Sequence, residues 1–107
     1  MADLDFDLIV TPHPPGGRRL TLRGELDLAT AGRLEAALAD GGGPVVLDLS
    51  ALTFMDSTGV RTLLEAAERD FGGLRIVPPA DGDARTTIDE TGIAALLPLA
   101  EPPGGAR

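Results

Sequence analysis

The sequence predicts an α/β domain with a mostly parallel sheet, and three observations carry that prediction. Short segments with strand character recur at 4–10, 18–26, 44–50 and 74–77, helical spacing appears at 27–40, 58–70 and 83–92, and Pro/Gly clusters punctuate the joins. An order of strand, strand, helix, strand, helix, strand, helix requires helical crossovers, and hence parallel pairing, after an opening antiparallel hairpin. A chain of 107 residues suffices for one core, so 1–107 is read as a single domain with its core at about 4–99 and a tail at 100–107.

Each element has its own signal. LDFDLIV at 4–10 alternates and then turns apolar, and TPHPPGG at 11–17 reads as a turn because its prolines deny a ladder its donors. RRLTLRGEL at 18–26 sets Leu20 and Leu22 on one face against Arg19, Thr21 and Arg23 on the other, completing a hairpin. In DLATAGRLEAALAD at 27–40, Ala31, Leu34 and Leu38 share a helical face, with Asp27 or Thr30 as the cap and GGG at 41–43 as the stop. PVVLDLS at 44–50 is apolar and β-branched, as suits a central strand covered on both faces.

Helical spacing returns from Thr58 to Asp70, where Val60, Leu63, Leu64 and Ala67 form the apolar stripe and Phe71-Gly72-Gly73 ends it. LRIV at 74–77 is a short strand, DARTTIDETG at 83–92 a helix closed by Gly92, and IAALLPLA at 93–100 has room for one last short strand.

Composition excludes several functions. The net charge is −8 and all nine basic residues are arginine, so the chain repels nucleic acid and anionic membrane surfaces, and neither is expected as a partner. There is no cysteine, and the single His13, read as a solvated loop residue, has no second imidazole with which to hold a metal. No apolar run is long enough to cross a bilayer and the acidic start MADLDFD is unlike a signal peptide, so the expected location is cytoplasmic.

In parallel sheets the functional surface gathers where strands end and helices begin. Two such junctions stand out, GELD at 24–27 and FMDSTG at 54–59. Without lysine there is no Walker loop, and Ser57 has neither a GxSxG elbow nor a nearby histidine as base. Asp27 and Asp56 form a carboxylate pair, but capping or solvation is the simpler role for Asp56, so no catalytic residue is assigned and the chain is not read as an enzyme. One cap is all that a helix start needs, yet Asp56, Ser57 and Thr58 are all candidates. A serine at a helix start suits phosphorylation, because the exposed N–H groups there receive a phosphate.

GELD at 24–27, then a helix, then VVLDLSALTFMDSTGVRTLL at 45–64, resemble the STAS domain of bacterial anti-sigma factor antagonists. The resemblance implies a sheet with helices mainly on one face. It also implies phosphorylation of Ser57, within the DSTG of Asp56 to Gly59, by an anti-sigma factor with serine-kinase activity. The unphosphorylated chain would bind that partner and release a sigma factor, and phosphorylation would separate the pair; nucleotide and Mg²⁺ would belong to the kinase, leaving this chain without a cofactor.

Since the two strand ends point the same way, the expected partner surface is Glu25, Asp27, Asp56, Ser57, Thr58, Gly59 and Arg61. Members of the family usually continue into a further amphipathic helix, whereas EPPGGAR follows here. A shortened member and a homodimer whose neighbouring copy supplies the missing layer both fit. A non-phosphorylated scaffold in a stress-signalling or transporter complex is the alternative function, and a small-molecule or nucleotide-sensing module is the third.

Overall fold

The computed structural model describes residues 6–69 and 73–100. Its elements are β1 (Phe6–His13), β2 (Gly17–Leu26), α1 (Ala31–Ala39), β3 (Val45–Met55), α2 (Ser57–Arg69), β4 (Leu74–Val77), α3 (Gly82–Thr91) and a 3₁₀ turn (Ile93–Leu96). The strands lie in the order β1-β2-β3-β4, with β1 antiparallel to β2 and the other pairs parallel. This is the predicted α/β architecture. Leu4, Asp5, Asp70, Phe71, Gly72 and the tail from Glu101 lie outside the described residues.

The alternation in β2 works as expected: Leu20 and Leu22 are fully buried, while Arg19 and Thr21 are half-buried and Arg23 is exposed. With Leu26, Leu47, Leu49 and Ile76 they join Leu34 and Leu38 of α1, Leu63 and Ala66 of α2, and Ala84 and Ile88 of α3 in one cluster. The helices therefore cover a single face of the sheet. β3 is not covered on both faces, as its apolar composition suggested. Its open side carries Asp48, which is buried by its neighbours rather than by a helix and paired with Arg19.

Burial alone would raise the pKa of Asp48, but the Ser50 hydroxyl and N–H (2.9 Å) and the Arg19 guanidinium outweigh it and hold the carboxyl below its ordinary value.

Two strands are longer than expected. β1 continues through Thr11, Pro12 and His13, which pair with Arg19, Arg18 and Gly17, so the turn shrinks to Pro14, Pro15 and Gly16. An edge strand tolerates proline because one side of it has no neighbour to receive an N–H. His13 is accordingly exposed at a strand end rather than in a loop.

β3 runs to Met55, not Ser50, because it carries two irregularities. Thr21 and Arg23 pair with Asp48 and Ala51, and Gly24 and Glu25 pair with Leu52 and Phe54, so β3 has one extra residue at each step. Inward positions then fall at Leu49, Leu52 and Met55, a spacing of three that hides the strand from a search for alternation.

The helices shift more modestly. α1 begins at Ala31, after a turn over 27–30. Its C-terminal carbonyls are held by Arg18, which donates to Ala37 (2.8 Å), Leu38 (3.1 Å) and Asp40 (3.1 Å). In α2 the buried residues are Gly59, Thr62, Leu63 and Ala66, while Val60, Leu64 and Ala67 are only half-buried, so the buried face is turned from the predicted stripe. α3 ends on Gly92 at φ 74°, a left-handed cap that glycine adopts without strain. The last segment forms one parallel bridge, Ile76 to Leu99, with Ile76 N–H donating to Pro98 (2.9 Å) and Ala100 N–H to Ile76 (2.7 Å).

Candidate functional site

Parallel pairing of Glu25 with Phe54 and of Leu26 with Met55 ends β2 and β3 at the same level. Asp56 N–H donates to the Leu26 carbonyl at 3.2 Å, so the two junctions leave the sheet side by side. The GELD and DSTG segments thus form one surface, and just below it the Thr53 hydroxyl of β3 donates to the Gly24 carbonyl at 3.1 Å.

At the second junction Asp56 is the cap. Its Oδ1 accepts the Gly59 N–H at 3.1 Å and its carbonyl accepts the Val60 N–H at 3.0 Å. Ser57 is therefore the first helical residue, exposed, with its hydroxyl not needed for capping. The N–H groups of Ser57 and Thr58 are those that a helix start leaves without an intrahelical partner. Thr58 is half-buried and its carbonyl accepts the Thr62 hydroxyl at 2.9 Å, while Arg61 is exposed one turn after Ser57.

Gly59 is buried and does not present itself at the surface. A Cβ there would lie 2.6 Å from Met55 Cγ and 2.8 Å from the Leu26 carbonyl oxygen, so only glycine lets α2 start this close to β2. From the other side, the Thr87 hydroxyl of α3 donates to the Met55 carbonyl at 3.2 Å.

At the first junction Asp27 and Glu25 are half-buried. Asp27 Oδ1 accepts the Ala29 N–H (3.0 Å), its carbonyl accepts the Thr30 and Ala31 N–H groups (3.1 and 2.8 Å), and Thr30 Oγ1 accepts the Asp27 N–H (2.9 Å) while donating to the Glu25 carbonyl (2.9 Å). Both capping candidates are thus used, Thr30 through the turn rather than through the helix end. Glu25 also lines a cavity of about 330 Å³ with Asp7, Arg23 and Thr53. Among the described residues, no group of three or more histidine and acidic side chains gathers to hold a metal ion, and no helix is long and apolar enough to cross a membrane.

One residue of this surface escaped sequence reasoning. Leu28 is 80% exposed, two residues past the end of β2. No signal in the sequence marks it, since it stands three residues before Ala31, the same step that separates Ala31 from Leu34.

Comparison with known proteins agrees with this geometry. The family described as "Mlab, STAS domain" matches residues 10–98, and the chain belongs to the STAS-domain family. An anti-sigma factor antagonist from Mycobacterium paratuberculosis is similar at 30% identity, with 94% of this chain and 90% of that one covered and a TM-score of 0.76. A STAS domain of an anti-sigma factor antagonist from Rhodobacter sphaeroides is 26% identical over 70% of this chain and 88% of its own, with a TM-score of 0.57. The fold is also that of the anti-sigma factor antagonist SpoIIAA in its unphosphorylated form, at 19% identity, 90% and 88% coverage and a TM-score of 0.69. Comparison with curated protein sequences finds no match.

Proposed function

We propose that this chain is an anti-sigma factor antagonist whose Ser57 is the phosphorylation switch. The observation that carries the reading is the division of labour at the start of α2, where Asp56 caps the helix and leaves Ser57 exposed and uncommitted. The structural similarity to anti-sigma factor antagonists supports the same role. The partner is an anti-sigma factor with serine-kinase activity. The Ser57 hydroxyl oxygen attacks the γ-phosphorus of the kinase's ATP, the bond to the β-phosphate breaks, ADP leaves and the hydroxyl proton passes to a base on the kinase.

The switch works through charge at the interface. A phosphate adds about −1.5 to −2 of charge, and at a helix N-terminus the dipole favours an anion by roughly 0.3–1 kcal/mol, so the domain itself tolerates it. At the interface the same dianion beside Asp56 must be desolvated or meets like charge, which costs several kcal/mol in a packed contact.

The test is incubation with a serine-kinase-type anti-sigma factor, ATP and Mg²⁺, followed by phosphosite mapping. Ser57→Ala is expected to stay folded, bind and resist phosphorylation, Ser57→Glu to stay folded and bind poorly, and Asp27→Ala and Arg61→Ala to weaken binding with little loss of thermal stability. Labelling of Ser57→Ala at Thr58 or elsewhere would overturn Ser57 as the switch, and an unlabelled wild-type chain together with full-strength binding by Ser57→Glu would replace this mechanism with that of a non-phosphorylated scaffold.

A further inference from the structure

Leu28 is the most exposed of the large apolar side chains among the described residues, at 80%, ahead of Leu96 at 67%. An apolar residue just ahead of a helix often folds back onto its first turn, yet Leu34 is fully buried without help from Leu28. The backbone on both sides of Leu28 is pinned by the Asp27 Oδ1 bond to the Ala29 N–H and by the bonds of Thr30 Oγ1 to the Asp27 N–H and the Glu25 carbonyl. The side chain is thus held out to water from a fixed loop, so docking it loses little backbone entropy. It stands two residues past the end of β2, as Ser57 stands two residues past the end of β3, and the Asp56–Leu26 hydrogen bond joins the two exits.

We propose that Leu28 is the apolar anchor that the unphosphorylated chain inserts into a pocket of its anti-sigma partner, and that a phosphate on Ser57 acts by keeping the surroundings of that leucine hydrated. The inference rests on the function proposed above and adds the contact through which the switch is read. Burial of Leu28 requires the adjoining surface to dry, and a dianion at the neighbouring helix start holds its water shell.

The experiment is calorimetric titration of the full chain with the same anti-sigma factor, loaded with a non-hydrolysable ATP analogue so that no phosphate is transferred. Leu28→Ala is expected to keep the wild-type melting temperature and to weaken binding about tenfold or more, and Leu28→Met to restore binding to within about threefold of wild type. The loss caused by Ser57→Glu should be smaller in the Leu28→Ala background than in wild type, since the two changes act on one contact.

Leu28→Ala that binds within twofold of wild type, while Ser57→Glu still disrupts the complex, overturns the anchor and leaves the proposed function standing. Strict additivity of the two changes overturns the coupling. A wild-type chain that binds no anti-sigma factor overturns the functional reading and the anchor together.

Discussion

The Asp56 carboxylate accepts the Gly59 N–H at 3.1 Å, and with that one bond the helix start is capped without the Ser57 hydroxyl. Asp56→Ala should therefore destabilise the fold by about 1 kcal/mol, within the roughly 0.5–2 kcal/mol range of lost caps, whereas Asp56→Asn, which keeps an acceptor, should cost less than about 0.5 kcal/mol. Urea unfolding midpoints check this. A loss of the same size on Ser57→Ala would instead assign the cap to the serine.

Gly59→Ala tests the close approach of α2 to β2. Alanine is the better helix former by about 1 kcal/mol, but its methyl would sit 2.8 Å from the Leu26 carbonyl oxygen, a backbone atom already engaged by Asp56. Met55 has rotamers with which to yield, and the Leu26 carbonyl has none. The clash should win, with a net loss of about 1–3 kcal/mol in equilibrium unfolding.

Leu63 and Leu64 separate the observed face of α2 from the predicted stripe. Leu63 is fully buried, so Leu63→Ala should cost about 2–5 kcal/mol, while half-buried Leu64 should lose less than about 1.5 kcal/mol on the same change. Equal losses would restore the predicted stripe.

Asp48 makes stability depend on pH. Its folded pKa lies below the ordinary 3.8, so its contribution is fully present above the unfolded value and is lost as pH falls through the lower folded value. The stability gap between wild type and Asp48→Asn should thus be constant from about pH 7 to about pH 5 and close below about pH 4. A gap that widens on acidification would mean that the carboxyl is neutral in the fold.

Much of this was legible in the sequence because local pattern and burial agree there. Leu20 and Leu22 alternate with Arg19 and Thr21, and the hairpin and the helical crossovers of a mostly parallel sheet follow. Legibility failed where geometry departs from a regular period. The two extra residues of β3 change the inward spacing to three, and the face of α2 is set by a glycine and a threonine, Gly59 and Thr62, that hydrophobicity does not mark. The two junctions were readable as motifs and their common direction as one surface, but the register that ends β2 and β3 at one level is contained in no local pattern. Leu28 was unreadable because an apolar residue is presumed to be inside.

Phe6 pairs with Gly24 near the end of β2, so the described chain begins at the same end of the sheet as Asp27 and Ser57. A reporter attached near Phe6 would stand beside that surface. The far end offers a better handle: Gly42 is exposed, a side chain there meets nothing within 4 Å, and the chain contains no cysteine. Gly42→Cys would create a single thiol for oriented immobilisation or dye labelling that leaves the switch facing the solution.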